Sequence, residues 1–293
     1  MRSRPLAYVS LLIAILIWGF AYVVTKSGLD AVPPMMFALL RYAVASLLLV
    51  PLALARGRLA RLPQPVPWRT LVLMAIVGVA LYYVLFNLAL AYTSASQTAL
   101  IQSAFPALVA ILAVLWLHER VTRQRFAGIG LAIVGVVLIV TTQDDTAASN
   151  PLLGNALAFA SVLSWSVYTI LAKRISNADP IAVTAVISLI GTVMLVPVAL
   201  VENADVSLSS IPRDGWLAIL YLGGLASAAS YLLYSRALRD IDASLVGTYI
   251  NLSPVIGVVS GVLVLGETLT TFAIIGGVLV LVGVWLSSRK SAA

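Results

Sequence analysis

One arginine lies inside an apolar segment of this sequence and is the residue best placed to do chemistry. Arg41 falls within the apolar run of residues 33–54, about 12 Å from the nearer end if the run is helical, at 1.5 Å per residue. A guanidinium presents a planar fork of N–H donors that fits a carboxylate. We therefore expect Arg41 to bind the carboxylate of a small molecule. Two alternatives stay open, because the side chain could instead extend outward to solvent or pair with Asp30.

Aromatic residues form the second group of candidates. Trp18 and Tyr22 are four residues apart, so they share one face of a helix. Trp165 and Tyr168 are three apart and make a similar pair. Other tyrosines also lie well inside apolar segments, namely Tyr82, Tyr83, Tyr231, Tyr234 and Tyr249. Aromatic belts at a membrane surface would place them at segment ends. The pattern predicts that these rings line an apolar cavity with a few hydroxyls, with packing between helices as the alternative.

Amides in the same kind of segment are smaller candidates, and they comprise Asn87, Gln97, Gln102 and Asn251. An unpaired amide is costly in an apolar medium. Each should face either substrate or a hydrogen-bonding neighbour. We assign Asn87 and Gln102 to the predicted substrate site.

Several kinds of chemistry are excluded by what the sequence lacks. It has no cysteine and one histidine, so thiolate and multi-histidine metal sites are ruled out. There is no phosphate-binding G-x-x-x-x-G-K-[ST] motif, no H-E-x-x-H motif and no carboxylate in the middle of an apolar segment. We therefore expect no metal and no cofactor. An intramembrane enzyme remains a distant alternative, and His118 is expected to be incidental.

The elements that carry these residues are membrane-spanning helices. Hydrophobic residues make up 61% of the 293 residues and charged residues 10%, with a mean hydropathy of +1.06. This composition excludes a soluble enzyme and a nucleic-acid-binding protein. About 20 apolar residues cross a bilayer as a helix, and ten segments qualify: 6–25, 33–54, 70–90, 96–117, 126–142, 153–172, 181–201, 215–235, 243–265 and 272–288. The first is too long for a cleaved signal peptide.

The basic residues predict the orientation of these spans. If the N-terminus is cytoplasmic, 15 of the 18 Lys and Arg residues fall in cytoplasmic segments, as expected for the cytoplasmic side. This places both termini in the cytoplasm of a multi-pass protein of the bacterial inner membrane. Lys26 falls at the outer end of the first span, where we expect it to be solvated.

The chain contains two copies of one sequence pattern. A shift of 148 aligns residues 68–140 with 216–288 without a gap and pairs Pro106 with Pro254 and Glu119 with Glu267. Each copy holds five spans, so the second enters the membrane from the opposite side. We predict two repeats, 1–142 and 143–293, that surround a central cavity. Matched prolines suggest hinges at Pro106 and Pro254, since each weakens its helix.

Two further paired features predict local contacts. Glu119 and Glu267 each precede a span and are expected to bind the first backbone N–H groups of that next helix. Gly128 and Gly135 lie seven residues apart, as do their counterparts Gly276 and Gly283, so each pair shares a helix face. These glycines predict close helix contact, either within the chain or between two copies of it.

Several stretches of the sequence resemble a known family. The stretches IWGFAYVVTK and ALAYTSASQTALIQSAFPALVAILAVLWLHERV, together with their second-half counterparts SWSVYTILAK and ALRDIDASLVGTYINLSPVIGVVSGVLVLGETL, resemble the drug/metabolite transporter superfamily with two EamA-type repeats. The resemblance implies an all-α membrane protein of ten helices that exports small metabolites through a central cavity. The nearest subgroup is the bacterial amino-acid exporters, including the aromatic amino-acid exporter.

Taken together, these features predict export by alternating access of the two inverted repeats. We expect the substrate to be an amino acid or a similar small metabolite. The absence of a carboxylate within any span favours a facilitator over a proton-carboxylate pump. Export of drugs or nucleotide sugars, coupled to protons, is the alternative. The expected surroundings are membrane lipid, with no nucleic acid, and the sequence leaves monomer or homodimer open.

Overall fold

The computed structural model describes residues 4–64, 66–117, 123–141, 149–175, 177–202, 208–240, 249–250 and 252–288. Within these ranges the regular structure is entirely helical. Ten apolar helices follow one another in the described chain. They are α1 (Arg4–Leu29), α2 (Pro34–Ala55), α3 (Trp68–Tyr92), α4 (Ala95–Gln102 and Phe105–Leu117), α5 (Arg123–Thr141), α6 (Pro151–Arg174), α7 (Pro180–Glu202), α8 (Arg213–Leu220, Tyr221–Ala229 and Ser230–Asp240), α9 (Leu252–Leu265) and α10 (Thr271–Ser288).

These helices confirm the predicted all-helical membrane fold. Seven of the described helices are long and apolar enough to span a membrane, and three shorter apolar ones lie in α5, α9 and α10. The predicted span 243–265 is described only in part, because residues 243–248 and 251 lie outside the described ranges. Short helical turns at Leu59–Arg61 and Leu208–Ser210 belong to two of the connections.

Three of the helices are irregular near their middle. Two of them contain a π-helical stretch, which is Ile76–Ala80 in α3 and Tyr221–Ala229 in α8. In α4 the helix is interrupted at residues 103–104. Pro106, two residues further on, has no N–H to donate to the carbonyl of residue 102. The predicted weak point at Pro106 therefore coincides with a real break in the helix, while the hinge role itself stays a prediction.

Helices α5 and α10 pack closely through the predicted glycines. A Cβ on Gly135 would lie 2.5 Å from the carbonyl oxygen of Gly276, and one on Gly283 would lie 2.5 Å from that of Gly128. The contacts pair the early glycine of each helix with the late glycine of the other, so the helices run antiparallel. Since Gly128 and Gly276 are counterparts in the two repeats, the pattern is reciprocal. The close contact predicted from the sequence is confirmed, and it lies within one chain.

A second reciprocal contact joins α2 and α7. The hydroxyl oxygens of Ser46 and Thr192 lie 3.0 Å apart in a hydrogen bond. A shift of 146 superimposes the motif Leu-Val-Pro of α2 on that of α7, and it also superimposes Ser46 on Thr192. A residue that touches its own counterpart lies on the axis that relates two copies. The same geometry that relates α5 to α10 thus relates α2 to α7.

Candidate functional site

Arg41 points into the protein and is held there by neutral groups. Only 4% of the residue is exposed. Its Nε donates to the Ser227 hydroxyl at 2.9 Å, and an Nη2 donates to the Tyr83 hydroxyl at 3.2 Å. The guanidinium carbon also lies 4.3 Å from the centre of the Tyr83 ring. Asp30 is exposed, and no carboxylate of the described residues lies within 4.0 Å of Arg41. The alternatives of outward extension and pairing with Asp30 are therefore wrong.

Aromatic side chains surround this cation in two groups. The large ring group comprises Tyr22, Tyr42, Tyr82, Tyr83, Phe86, Trp165 and Tyr168, which are linked by ring contacts. The small ring group comprises Trp18, Tyr231 and Tyr234. Tyr231 of the small group lies near enough to Tyr83, Tyr168 and Arg41 to interact with them electrostatically. We call the two groups together the ring cluster.

The partly exposed rings of the cluster come from four helices. Tyr22, Tyr42 and Tyr83 are buried, but six other rings are only half-buried although they lie well inside their helices: Trp18, Tyr82, Trp165, Tyr168, Tyr231 and Tyr234. Each of the six contacts a ring of the cluster. These partly exposed rings belong to α1, α3, α6 and α8, and they are the candidate lining of a substrate site. Among them, Trp165 and Tyr168 stack with ring centres 4.5 Å apart and planes at 24°.

Three hydrogen bonds join the π-helical stretches to the helices that face them. Trp18 Nε1 donates to the carbonyl of Ala226 in α8 at 2.9 Å. Ser164 Oγ, from the matching part of α6, donates to the carbonyl of Val77 in α3 at 2.6 Å. A third bond runs the other way, from the Tyr221 hydroxyl to the carbonyl of Ile17 at 2.9 Å. Wide helical turns reorient backbone carbonyls, and they occur often at functional sites. Nothing in the apolar pattern of the sequence signals these turns.

The other predicted site residues, Gln102, Asn87 and Tyr249, lie in different parts of the protein. Gln102 Nε2 donates to the Ser161 hydroxyl at 2.9 Å and lies beside the Tyr82 hydroxyl, at the edge of the ring cluster. Asn87 is fully buried and donates to the carbonyl of Pro34 at 2.8 Å. Tyr249 packs edge-on against Tyr8, with ring centres 6.2 Å apart, near the start of α1. The structure thus brings Gln102 to the cluster and places Tyr249 elsewhere. Asn251 lies outside the described residues.

Two expectations about charged residues at helix ends are corrected. Lys26 is half-buried, not solvated, and donates to the carbonyls of Leu90 at 2.5 Å and Thr93 at 2.8 Å. These carbonyls end α3, where a helix attracts a cation. Glu267 accepts from the backbone N–H groups of Ala95 and Ser96 in α4, both at 2.7 Å, rather than from α10, the next helix. Glu119 and His118 lie outside the described residues.

Two further carboxylates, Glu202 and Asp179, have partners that the sequence did not predict. Glu202 accepts from the N–H groups of Met35 and Met36, at 2.7 and 3.2 Å, and so caps α2. Asp179 precedes α7 and forms a 2.8 Å ion pair with Arg58. Burial raises the pKa of Asp179, but the bonds from Arg58 and from the N–H groups of residues 181 and 182 outweigh it, and the pKa is lowered overall. No group of three His, Cys, Asp or Glu side chains in the described ranges is placed to hold a metal.

These contacts sort the helix ends into two sets. At one end, which we call the Glu267 end, the ends of α1, α3, α7 and α9 meet the starts of α2 and α4. At the other, the Arg58 end, the connection after α2 meets the one before α7. Ten successive crossings of a membrane produce this arrangement.

The sequence matches the EamA-like transporter family twice, over residues 5–141 and 152–289. The chain belongs to the EamA-like transporter family. An uncharacterized transporter of Archaeoglobus fulgidus is 30% identical over 282 residues, which cover 96% of each protein. A probable amino-acid metabolite efflux pump of Salmonella typhimurium is 28% identical over 296 residues, or 97% of this chain and 95% of that protein. A solved crystal structure with 24% identity has the same fold, with a TM-score of 0.68 over 99% of each chain.

Membership in the EamA family confirms that the protein is a multi-pass membrane transporter and not an enzyme. The two matched stretches correspond to the two predicted repeats. The predicted boundary at residues 142/143 falls between them and stays a prediction. A transporter implies a small-molecule substrate, and the candidate place for it is the ring cluster beside Arg41.

Proposed function

We propose that this transporter exports amino acids or closely related small metabolites across the bacterial inner membrane. The observation that carries the proposal is Arg41, a buried cation with neutral partners beside a ring cluster that is partly exposed. A charge in such a place is costly unless a ligand compensates it. The substrate carboxylate supplies that compensation, and the rings receive the apolar side chain. The relative described as a probable amino-acid metabolite efflux pump supports this substrate class.

The proposed mechanism is alternating access between two repeats that are inverted in the membrane. The reciprocal contacts of α5 with α10, and of Ser46 with Thr192, support such a symmetry. The ring cluster draws on α1, α2 and α3 of one repeat and on α6 and α8 of the other, so movement between repeats changes access to it. The break beside Pro106 is one place where this movement can be absorbed, and Pro254 is its counterpart.

We further propose facilitated diffusion with both termini in the cytoplasm. The carboxylates of the chain all lie outside the ten predicted spans, which leaves no intramembrane carboxylate relay.

Uptake into proteoliposomes tests the proposal. Labelled amino acids should exchange across the membrane without an imposed pH gradient. Arg41→Ala and Trp18→Ala should each lower flux about tenfold or more, because each removes a polar or aromatic contact to bound substrate. Both variants should keep the wild-type elution profile and melting temperature within a few degrees. Wild-type flux in both would refute the assignment of the site, and strict dependence on a pH gradient would refute facilitated diffusion.

A further inference from the structure

We infer that the site recognises a carboxylate joined to a flat apolar body, and that an α-ammonium group on the substrate is dispensable. The inference rests on the proposed function, because it concerns the same site, the ring cluster beside Arg41. It extends the substrate class from amino acids to small monocarboxylates that lack the amino group.

The charges around the site match only one end of an amino acid. Arg41 is the one charged side chain among the described residues that contacts the ring cluster. Of its five N–H bonds, two are used, for Ser227 and Tyr83. The others remain for an incoming carboxylate.

Three of the carboxylates that could match an ammonium group are committed elsewhere, and all of them lie outside the spans. All eleven Asp and Glu residues lie outside the ten predicted spans. Glu267 and Glu202 each accept two backbone N–H bonds at the starts of helices. Asp179 is paired with Arg58. A substrate ammonium in the ring cluster would therefore lose water without gaining a counter-charge from the protein, which is unfavourable.

Three backbone carbonyls on the helices that carry the rings already accept side-chain hydrogen bonds. Ala226 accepts from Trp18, Val77 from Ser164 and Ile17 from Tyr221. Ala226 and Val77 belong to the two π-helical stretches, and Ile17 lies next to Trp18 in α1. Ring faces and tyrosine hydroxyls are left to receive an ammonium group, and they tolerate a cation without requiring one.

The shape of the cluster defines the rest of the substrate. Tyr82 stacks on Phe86 with ring centres 5.6 Å apart and planes at 17°, and Trp165 stacks on Tyr168 at 24°. Such parallel ring faces suit a planar, apolar group. A phenyl or indole ring that carries a short carboxylate chain has this form.

Three compounds with the same ring and chain length separate the two charges. Phenylalanine carries both, 3-phenylpropionate only the carboxylate, and 2-phenylethylamine only the ammonium. In competition against labelled phenylalanine uptake, 3-phenylpropionate should inhibit within about threefold of phenylalanine, whereas 2-phenylethylamine should be about ten- to a hundredfold weaker, the loss expected for a charge-assisted bond. Inhibition by the amine that equals or exceeds that by the acid would overturn the inference.

A binding measurement keeps the inference separate from amino-acid transport. If labelled phenylalanine is not taken up, the amino-acid part of the proposed function fails. The inference then depends on thermal stabilisation of the purified protein by 3-phenylpropionate, which should be present in wild type and lost in Arg41→Gln. Arg213→Gln, at an exposed position at the start of α8, is the matched control and should behave as wild type. Absence of stabilisation in wild type, or its persistence in Arg41→Gln, overturns the inference.

Discussion

At the scale of single residues, the charged side chains divide by the kind of partner they have. Asp179 and Arg58 compensate each other, while Glu202 and Glu267 are compensated by helix N-termini. Arg41 has a hydroxyl on either side and a ring face. Neutral partners orient a guanidinium but leave its charge uncompensated. This difference in partners, rather than depth alone, distinguishes Arg41 as a ligand-binding residue.

Asp179 yields a prediction about pH and stability. Because its pKa is lowered in the folded protein, its contribution to stability is present above the unfolded pKa of about 3.9 and is lost as the pH falls through the folded value. The melting temperature of wild type should exceed that of Asp179→Asn by a constant difference between about pH 5 and 8. This difference should shrink below about pH 4. Melting curves in detergent measure it, with the exposed Asp214→Asn as control. A margin that persists unchanged to pH 3 contradicts the prediction.

At the scale of elements, runs of apolar residues predicted the helices well, because lipid requires about 20 apolar residues for each crossing. Contacts between helices were predictable only where the two repeats carry the same signal, as at Gly135 and Gly276. The partner of Glu267 was mispredicted, since nothing along the chain shows that the turn before α10 covers the start of α4. Gly78, in the π-helical stretch of α3, packs closely against the Tyr168 ring, and this contact is likewise a tertiary property.

The contact of α5 with α10 can be tested on one helix with its own control. In Gly135→Leu the new Cβ would lie 2.5 Å from the Gly276 carbonyl oxygen, whereas a Cβ on Gly130 has nothing within 4 Å. Gly135→Leu should lower the free energy of unfolding by about 1–3 kcal/mol or more through overpacking. Gly130→Leu should change it by no more than about 0.5 kcal/mol, as at other open surface positions. Thermal melting in detergent measures both changes. Equal effects of the two substitutions would show that the contact between α5 and α10 is not close-packed.

At the scale of the whole molecule, the two repeats are tied together at the Glu267 end. Glu267 and Glu202 belong to the second repeat and bind the starts of α4 and α2 in the first. Lys26 lies near Glu267 and is itself anchored to the end of α3. A substrate that passes from the ring cluster to the Glu267 end requires these ties to loosen. Alternating access therefore predicts that weakening them increases opening at this end.

Cysteine labelling measures that opening directly, because the chain contains no cysteine of its own. Thr25 is fully buried, one residue from Lys26, and its hydroxyl has no hydrogen-bond partner among the described residues, so Thr25→Cys is a mild probe. Membrane-impermeant maleimide should label it slowly. Adding Glu267→Gln leaves one acceptor oxygen for two N–H groups and removes the charge at the start of α4. Labelling should then speed up about tenfold, equivalent to about 1.4 kcal/mol.

The side of the membrane on which labelling accelerates carries the decisive information. With cytoplasmic termini, the Glu267 end faces outward, so the increase should occur in intact cells and not in everted vesicles. Asp214→Asn, an exposed carboxylate at the start of α8, should leave the rate unchanged. An unchanged rate in Glu267→Gln would show that this tie does not limit opening. Acceleration in everted vesicles alone would reverse the proposed orientation, because a tie at this end acts only on access from the side it faces.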